Sequence, residues 1–234
     1  SSPTRPREDA ATEADLVRAG YQDRVLTELA QNAADAAARA GVPGVLCLWR
    51  DGDDLHVANT GAVLDEAGVQ ALTALRASSK TGGVGRFGVG FTAVAAVSAD
   101  IEIRSRSGSI RFSAARTRDA LADRDLPVPE SGIPVLRLAW PVPAPPAPGS
   151  DTEVVLRLRA GIDADALLDG FAAEAVDLLL ELPALTTVTV GARTFTRTCT
   201  DTESGLRVVA VGERTWWEYT GPQDRKSTRL NSSH

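Results

Sequence analysis

Residues 28–35 read Glu28-Leu29-Ala30-Gln31-Asn32-Ala33-Ala34-Asp35, and about fifty residues later the chain reads Gly85-Arg86-Phe87-Gly88-Val89-Gly90-Phe91. At 100° per residue, Glu28, Asn32, Asp35 and Arg39 fall within an arc of roughly 60° on one helix face. The apolar Val25, Leu29, Ala33, Ala36 and Ala40 lie beside that arc, so the flank packs onto a sheet while the polar stripe can hold a metal ion and a water. The glycine-rich turn opens a short helix expected from Gly90 to Ala99. Such a turn suits phosphates, because glycines let backbone N–H groups point inward and a helix N-terminus favours anions. Taken singly, each half has an ordinary reading: a solvated helix face and a loop. Two other phosphate motifs fit worse. A P-loop needs Gly-Lys-Ser/Thr, whereas Gly90 is followed by Phe91-Thr92. A dinucleotide fingerprint needs Gly-x-Gly-x-x-Gly directly after an apolar strand, but here the spacing is reversed and Arg76-Ala77-Ser78-Ser79-Lys80 precedes it.

The 234 residues suffice for one sizeable domain plus part of another. Twenty-five Lys and Arg stand against 31 Asp and Glu, net −6, which argues against a nucleic-acid platform. Cys47 and Cys199 are isolated and no histidines pair, so a reducing cytoplasm without disulfides or zinc is expected. No apolar stretch approaches the ~18 residues of a membrane span, and no signal-peptide core opens the chain. Without any methionine, the chain is expected to be a fragment.

Residues 1–19 read as an N-terminal arm with a short helix from Thr12 to Gly20, and Tyr21 to Ala40 as the helix bearing the polar stripe, stopped by Gly41 and Pro43. Val45 to Arg50 and Leu55 to Asn59 form a hairpin around Asp51-Gly52-Asp53-Asp54. Leu64 to Arg76 is helical by period, and Ile101 to Arg106 with Ser109 to Ala114 makes a second hairpin. Residues 115–134 read as irregular, Val135 to Ala139 as a strand, and the proline-rich 141–149, in isolation, as an interdomain linker. Thr152 to Leu158 is a strand, Asp163 to Leu182 a helix capped by Asp163, and three alternating strands follow from Thr186 to Val211. Residues 224–234 break in character and are set aside as a non-native tail.

The stripe and the glycine turn, in this order and separation, resemble the GHKL ATPases, the superfamily of gyrase-type topoisomerases, ninety-kilodalton heat-shock chaperones, histidine kinases and MutL proteins. Gly-Arg-Phe-Gly-Val-Gly-Phe is most similar to the heat-shock chaperone and sacsin branch. The resemblance covers roughly residues 20–190 and makes 141–149 a loop between two strands of one sheet. It implies a Bergerat ATP-binding fold: an α/β, two-layer (α+β) sandwich whose mixed, mainly antiparallel sheet carries helices on one face. It implies ATP and Mg2+ as ligands, with Glu28 as the catalytic general base and Asn32 as the magnesium ligand. Asp35 and Arg39 continue the nucleotide-facing stripe. Gly85, Arg86, Phe87, Gly88, Val89, Gly90 and Phe91 form the phosphate turn, and Lys80 lies at the edge of its lid. The family's adenine box, Asp-x-Gly-x-Gly, stands here as Asn59-Thr60-Gly61-Ala62-Val63, an amide replacing the acid and valine the second glycine. Thr152 matches the family's Gly-Thr before an apolar strand, with Asp151 in place of the glycine.

The leading expectation is Mg-dependent ATP binding and hydrolysis by a domain spanning 20–190, driving conformational change in a larger protein. Residues 191–223 then begin a following β-rich segment. The expected partners are ATP, downstream domains of the same protein and an unidentified client, and a homodimer is an arrangement the resemblance allows. Two alternatives stand beside it: a nucleotide-gated interaction module without turnover, and a DNA-transaction ATPase of the MutL or gyrase type, which the acidic balance disfavours.

Overall fold

A computed structural model of the chain describes residues 24–74, 93–126, 135–202, 206–219 and 228–231. Helix α1 spans residues 24–40. Its second half is rich in alanine, the strongest helix former. It stops where Gly41 turns left-handed at φ 66°, with Gly41 N–H donating to Ala38 O and Val42 N–H to Ala37 O, a Schellman closure.

Strands β1 (Gly44–Asp51) and β2 (Asp54–Asn59) form the expected hairpin. Then come α2 (Glu66–Ala74), the single turn α3 (Val94–Val97), β3 (Ser98–Ser105), β4 (Ser109–Ser113) and α4 (Ala114–Ala122). The chain continues through β5 (Ala139–Val142), β6 (Thr152–Leu158), α5 (Ala164–Glu181), β7 (Leu185–Val190), β8 (Arg193–Asp201), β9 (Leu206–Val211), β10 (Arg214–Tyr219) and β11 (Thr228–Asn231). All strands belong to one sheet in the order β11-β10-β9-β8-β7-β1-β2-β6-β3-β4-β5. Among the described residues only β1 and β7 run parallel; every other neighbouring pair there is antiparallel. The protein is therefore α/β with a mixed, mainly antiparallel sheet.

Alternation along the strands selects one face for the helices. Leu46 and Leu48 of β1, Leu55 and Val57 of β2, and Ile101 and Ile103 of β3 share one core with Val25, Leu29 and Ala33 of α1 and Phe171 and Leu179 of α5. Each such leucine contributes about 1.5–3 kcal/mol when buried. Asp163 caps α5, its carboxylate accepting from Asp165 N (3.0 Å) and Ala166 N (3.1 Å).

Several elements differ from their sequence expectation. The helix expected to reach Ala99 ends at Val97, because Ser98 is already extended and its hydroxyl accepts from Asp100 N–H (3.2 Å) while the strand joins β6. Residues 115–122, expected to be irregular, form α4 together with Ala114, expected to end the strand before it. Ser113, the last residue of β4, caps it, accepting from Arg116 N–H, and the buried Thr117 hydroxyl donates back to Ser113 O at 2.9 Å. Residues 135–137 form a 3-10 turn, and the strand lies later, at Ala139–Val142. Pro141 is accommodated there because β5 is the sheet edge. Residues 143–151 form a loop between β5 and β6 of one sheet, and Pro141 and Val142 already belong to β5. Hydrogen bonding continues across position 190, since β7 pairs with β8, and residues 228–231 pair with β10. The short helix expected at 12–20 lies outside the described residues. Among the described residues no helix is long and apolar enough to cross a membrane.

Candidate functional site

Beneath α1 lies a pocket that is open to solvent at its mouth and encloses about 40 Å³. α1 lines it with Leu29, Asn32, Ala36 and Arg39, which recur every three or four residues and so fall on one side of the helix. The opposite wall is a contiguous patch of three adjacent strands. Asn59 and Thr152 are register partners, as are Val57 and Val154, and Ile103 lies across from Val154 on the far side. Ala62 and Leu64, just beyond β2, complete the rim. The walls are mostly apolar, with a few polar groups among them.

The Asn32 side-chain nitrogen is buried and has no hydrogen-bond partner. A buried donor left unsatisfied costs about 1–3 kcal/mol. Rotating the amide by 180° would present its oxygen instead. Asn59 is oriented by its surroundings: its Nδ2 donates to Thr60 O at 3.1 Å, leaving Oδ1 as the acceptor. Thr152 Oγ1 lies 3.5 Å from Ser105 Oγ. Arg39 is exposed and supplies a cation at the mouth.

The turn after β2 is held from several sides. Thr60 Oγ1 donates to Pro43 O (3.0 Å) and accepts from Val45 N–H (2.9 Å). Gly61, at φ 134°, lies so close to α1 that a Cβ there would stand 2.5 Å from the Ala36 carbonyl carbon. Ala62 N–H then donates to Ala36 O at 2.9 Å. Gly61 N–H itself donates to Asp151 Oδ2 (2.9 Å), while Asp151 Oδ1 accepts from Arg106 Nη1 (2.9 Å). The Gly61 N–H first, and Arg106 second, hold the Asp151 carboxyl below the usual carboxylate range.

Four of the expected site residues therefore line one cavity: Asn32, Arg39, Asn59 and Thr152. Gly61 lies behind the wall, wedged against α1, and Val63 is 40% exposed. Glu28 is half-buried on α1 one turn before Asn32 and does not line the cavity, and Asp35 is exposed. Lys80 and the turn Gly85 to Phe91 lie outside the described residues. Sequence reasoning treated Asp151 only as a departure from a glycine. The signal was an aspartate directly before a strand, facing a glycine turn at the end of its antiparallel neighbour.

His56 carried no expectation, yet it is almost buried on the sheet's other face. Its Nδ1 is 2.6 Å from Glu153 Oε1, and Trp49 stacks on the ring at 4.8 Å. Glu153 Oε2 accepts from Ala147 N–H of the proline-rich loop, which satisfies the carboxylate. This pair anchors β6 directly beside Thr152.

Among the described residues no three His, Cys, Asp or Glu side chains gather as a metal cluster. A cation here would take the Asn32 oxygen together with oxygens of its ligand, which suits magnesium. No protein-family model matches the chain, and no curated protein sequence matches it.

Proposed function

We propose that this chain binds ATP with Mg2+ in the cavity beneath α1, as a GHKL-type domain of Bergerat fold in the heat-shock chaperone or sacsin-like branch. The observation that carries the proposal is that Asn32, Arg39, Asn59 and Thr152 line one pocket. Those four positions come from three separate stretches of sequence, and each has a nucleotide-facing role in the resemblance.

In this reading the adenine slides between α1 and the strand patch, where Val57, Ile103 and Val154 exclude water from its faces. Asn59 Oδ1 accepts from the exocyclic amino group, and the Thr152 hydroxyl contacts the same edge. Asn32 turns its oxygen toward the metal, and Arg39 offsets phosphate charge at the mouth. Magnesium, when bound, neutralises phosphate oxygens and orients them. Hydrolysis assigns Glu28 the proton of the attacking water. Its position outside the cavity lining favours a second reading, a nucleotide-gated module that binds without turnover. Downstream domains of the same protein, acting in the cytoplasm, would receive the conformational signal in either case.

The test is calorimetric titration of ATP and ADP with and without magnesium, in the parent and in Asn32→Ala. The parent should bind both nucleotides, and Asn32→Ala should lose the magnesium-dependent part of ATP affinity. A parent that binds neither nucleotide would refute the proposal. Glu28→Ala with binding retained and turnover lost would select hydrolysis over the gated module.

A further inference from the structure

Asn59 and Thr152 face the same cavity, but neither is held there by packing alone. They are the end residues of two antiparallel strands, Asn59 closing β2 and Thr152 opening β6. The residue that joins their surroundings is Asp151. Its backbone N–H donates to Asn59 O (2.9 Å), and its carbonyl accepts from Arg106 N–H (3.1 Å) and Ser105 Oγ (3.3 Å). Its carboxylate spans Gly61 N–H on one side and the Arg106 guanidinium on the other. Through Gly61 and Ala62 the same turn is seated on α1 at Ala36, one turn from Asn32. One side chain therefore links the β2 turn to the β3–β4 hairpin, and through the turn to the helix that carries the opposite wall.

We propose that Asp151 is a positioning residue for base recognition: its carboxylate sets the Asn59 turn and thereby the discrimination between adenine and guanine. The inference deepens the nucleotide reading and rests on it. Asp151 touches no ligand atom. It acts because an amide oxygen discriminates between an amino group and a carbonyl only if it is fixed to within a few tenths of an ångström and cannot rotate to offer its nitrogen. Anchored at Gly61, the turn keeps Thr60 O where it accepts from Asn59 Nδ2, so Oδ1 remains the exposed end. With the anchor lost, the Asn59 amide can swing and present its nitrogen to guanine's carbonyl oxygen. A glycine at 151 would leave the Gly61 N–H without this acceptor.

The experiment compares ATP and GTP affinity by calorimetry at fixed magnesium in the parent, Asp151→Asn, Asp151→Ala and Arg106→Gln. Arg106 is 69% exposed in its side chain, so its replacement leaves the core intact. The parent should prefer ATP. Asp151→Ala should lose about tenfold in ATP affinity with little change for GTP, collapsing the ratio, and Arg106→Gln should shift it in the same direction by less. Asp151→Asn, of equal volume, should fall between them, since one amide oxygen can still accept from Gly61. A purely structural role would weaken both nucleotides in parallel, leaving the ratio unchanged. A parent that discriminates, with Asp151→Asn and Arg106→Gln discriminating equally well, overturns this proposal alone. A parent that binds neither nucleotide overturns the nucleotide reading and this inference with it.

Discussion

Substituting alanine for Gly61 puts a methyl group where the β2 turn meets α1. The new Cβ would stand 2.5 Å from the Ala36 carbonyl carbon, 2.6 Å from Ala37 N and 2.8 Å from Ala36 O, all backbone atoms that cannot rotate away. Relief requires the turn to retreat by about 1 Å, since carbon atoms rest at roughly 3.5 Å or beyond. Holding a non-glycine residue at φ 134° costs about 1–3 kcal/mol. Overpacking adds about 1–3 kcal/mol where the turn resists, and where it yields, the Ala62 N–H to Ala36 O and Gly61 N–H to Asp151 bonds lengthen at about 1 kcal/mol each. These costs partly replace one another, so we expect a net loss of about 3–4 kcal/mol. Gly52→Ala is the internal control. It also has positive φ, at 58°, but nothing lies within 4 Å of its added Cβ, so only backbone strain of about 1–2 kcal/mol applies. Urea denaturation of both variants measures the difference directly. A Gly61→Ala variant no less stable than Gly52→Ala would refute the close seating of this turn on α1, and with it the geometry of the cavity rim.

Asn32→Leu should raise the stability of the free protein by about 1 kcal/mol or more, because it removes a buried unpaired donor, while abolishing nucleotide binding; thermal melts with and without ATP read both effects. Asn59→Asp should tighten ATP by about 1–2 kcal/mol and not GTP, since a charged acceptor strengthens the bond to an amino group and repels a carbonyl; equal gains would place Asn59 away from the base. The pH prediction follows from Asp151, whose folded carboxyl is held below its unfolded value of about 3.9. A lowered folded value means that its contribution is fully present above the unfolded value and is lost as pH falls through the folded one. The stability gap between parent and Asp151→Asn should therefore be constant from pH 7 to about 5 and shrink below about pH 4. A gap that shrinks between pH 7 and 5 instead would contradict the Gly61 and Arg106 clamp. Asp54, beside Arg157, is held low in the same way and should leave its own acid loss in the same low range.

Local pattern determined much of this protein. The 3.6-residue period of α1 and α5, the two-residue period of β1, and the Gly41, Gly52 and Gly108 punctuation were legible because each depends only on neighbours a few residues away. The stripe holding Asn32 and Arg39 was legible for the same reason, since helical geometry alone puts both on one side. What the sequence could not determine was which strands adjoin. That Asn59 pairs with Thr152 across 93 positions of chain follows from the sheet order, which is a global solution of core burial. The same order separates Glu28 from the cavity lining while admitting Asn32, although both lie on the one polar stripe. α4 escaped notice because its cap, Ser113, doubles as the last residue of a strand, so the local signal was claimed by the neighbouring element. Asp151 is the clearest case. An aspartate beside a strand is a common surface residue. It becomes the anchor of a binding turn only because folding brings Gly61 and Arg106, 90 and 45 residues away, to opposite oxygens of one carboxylate.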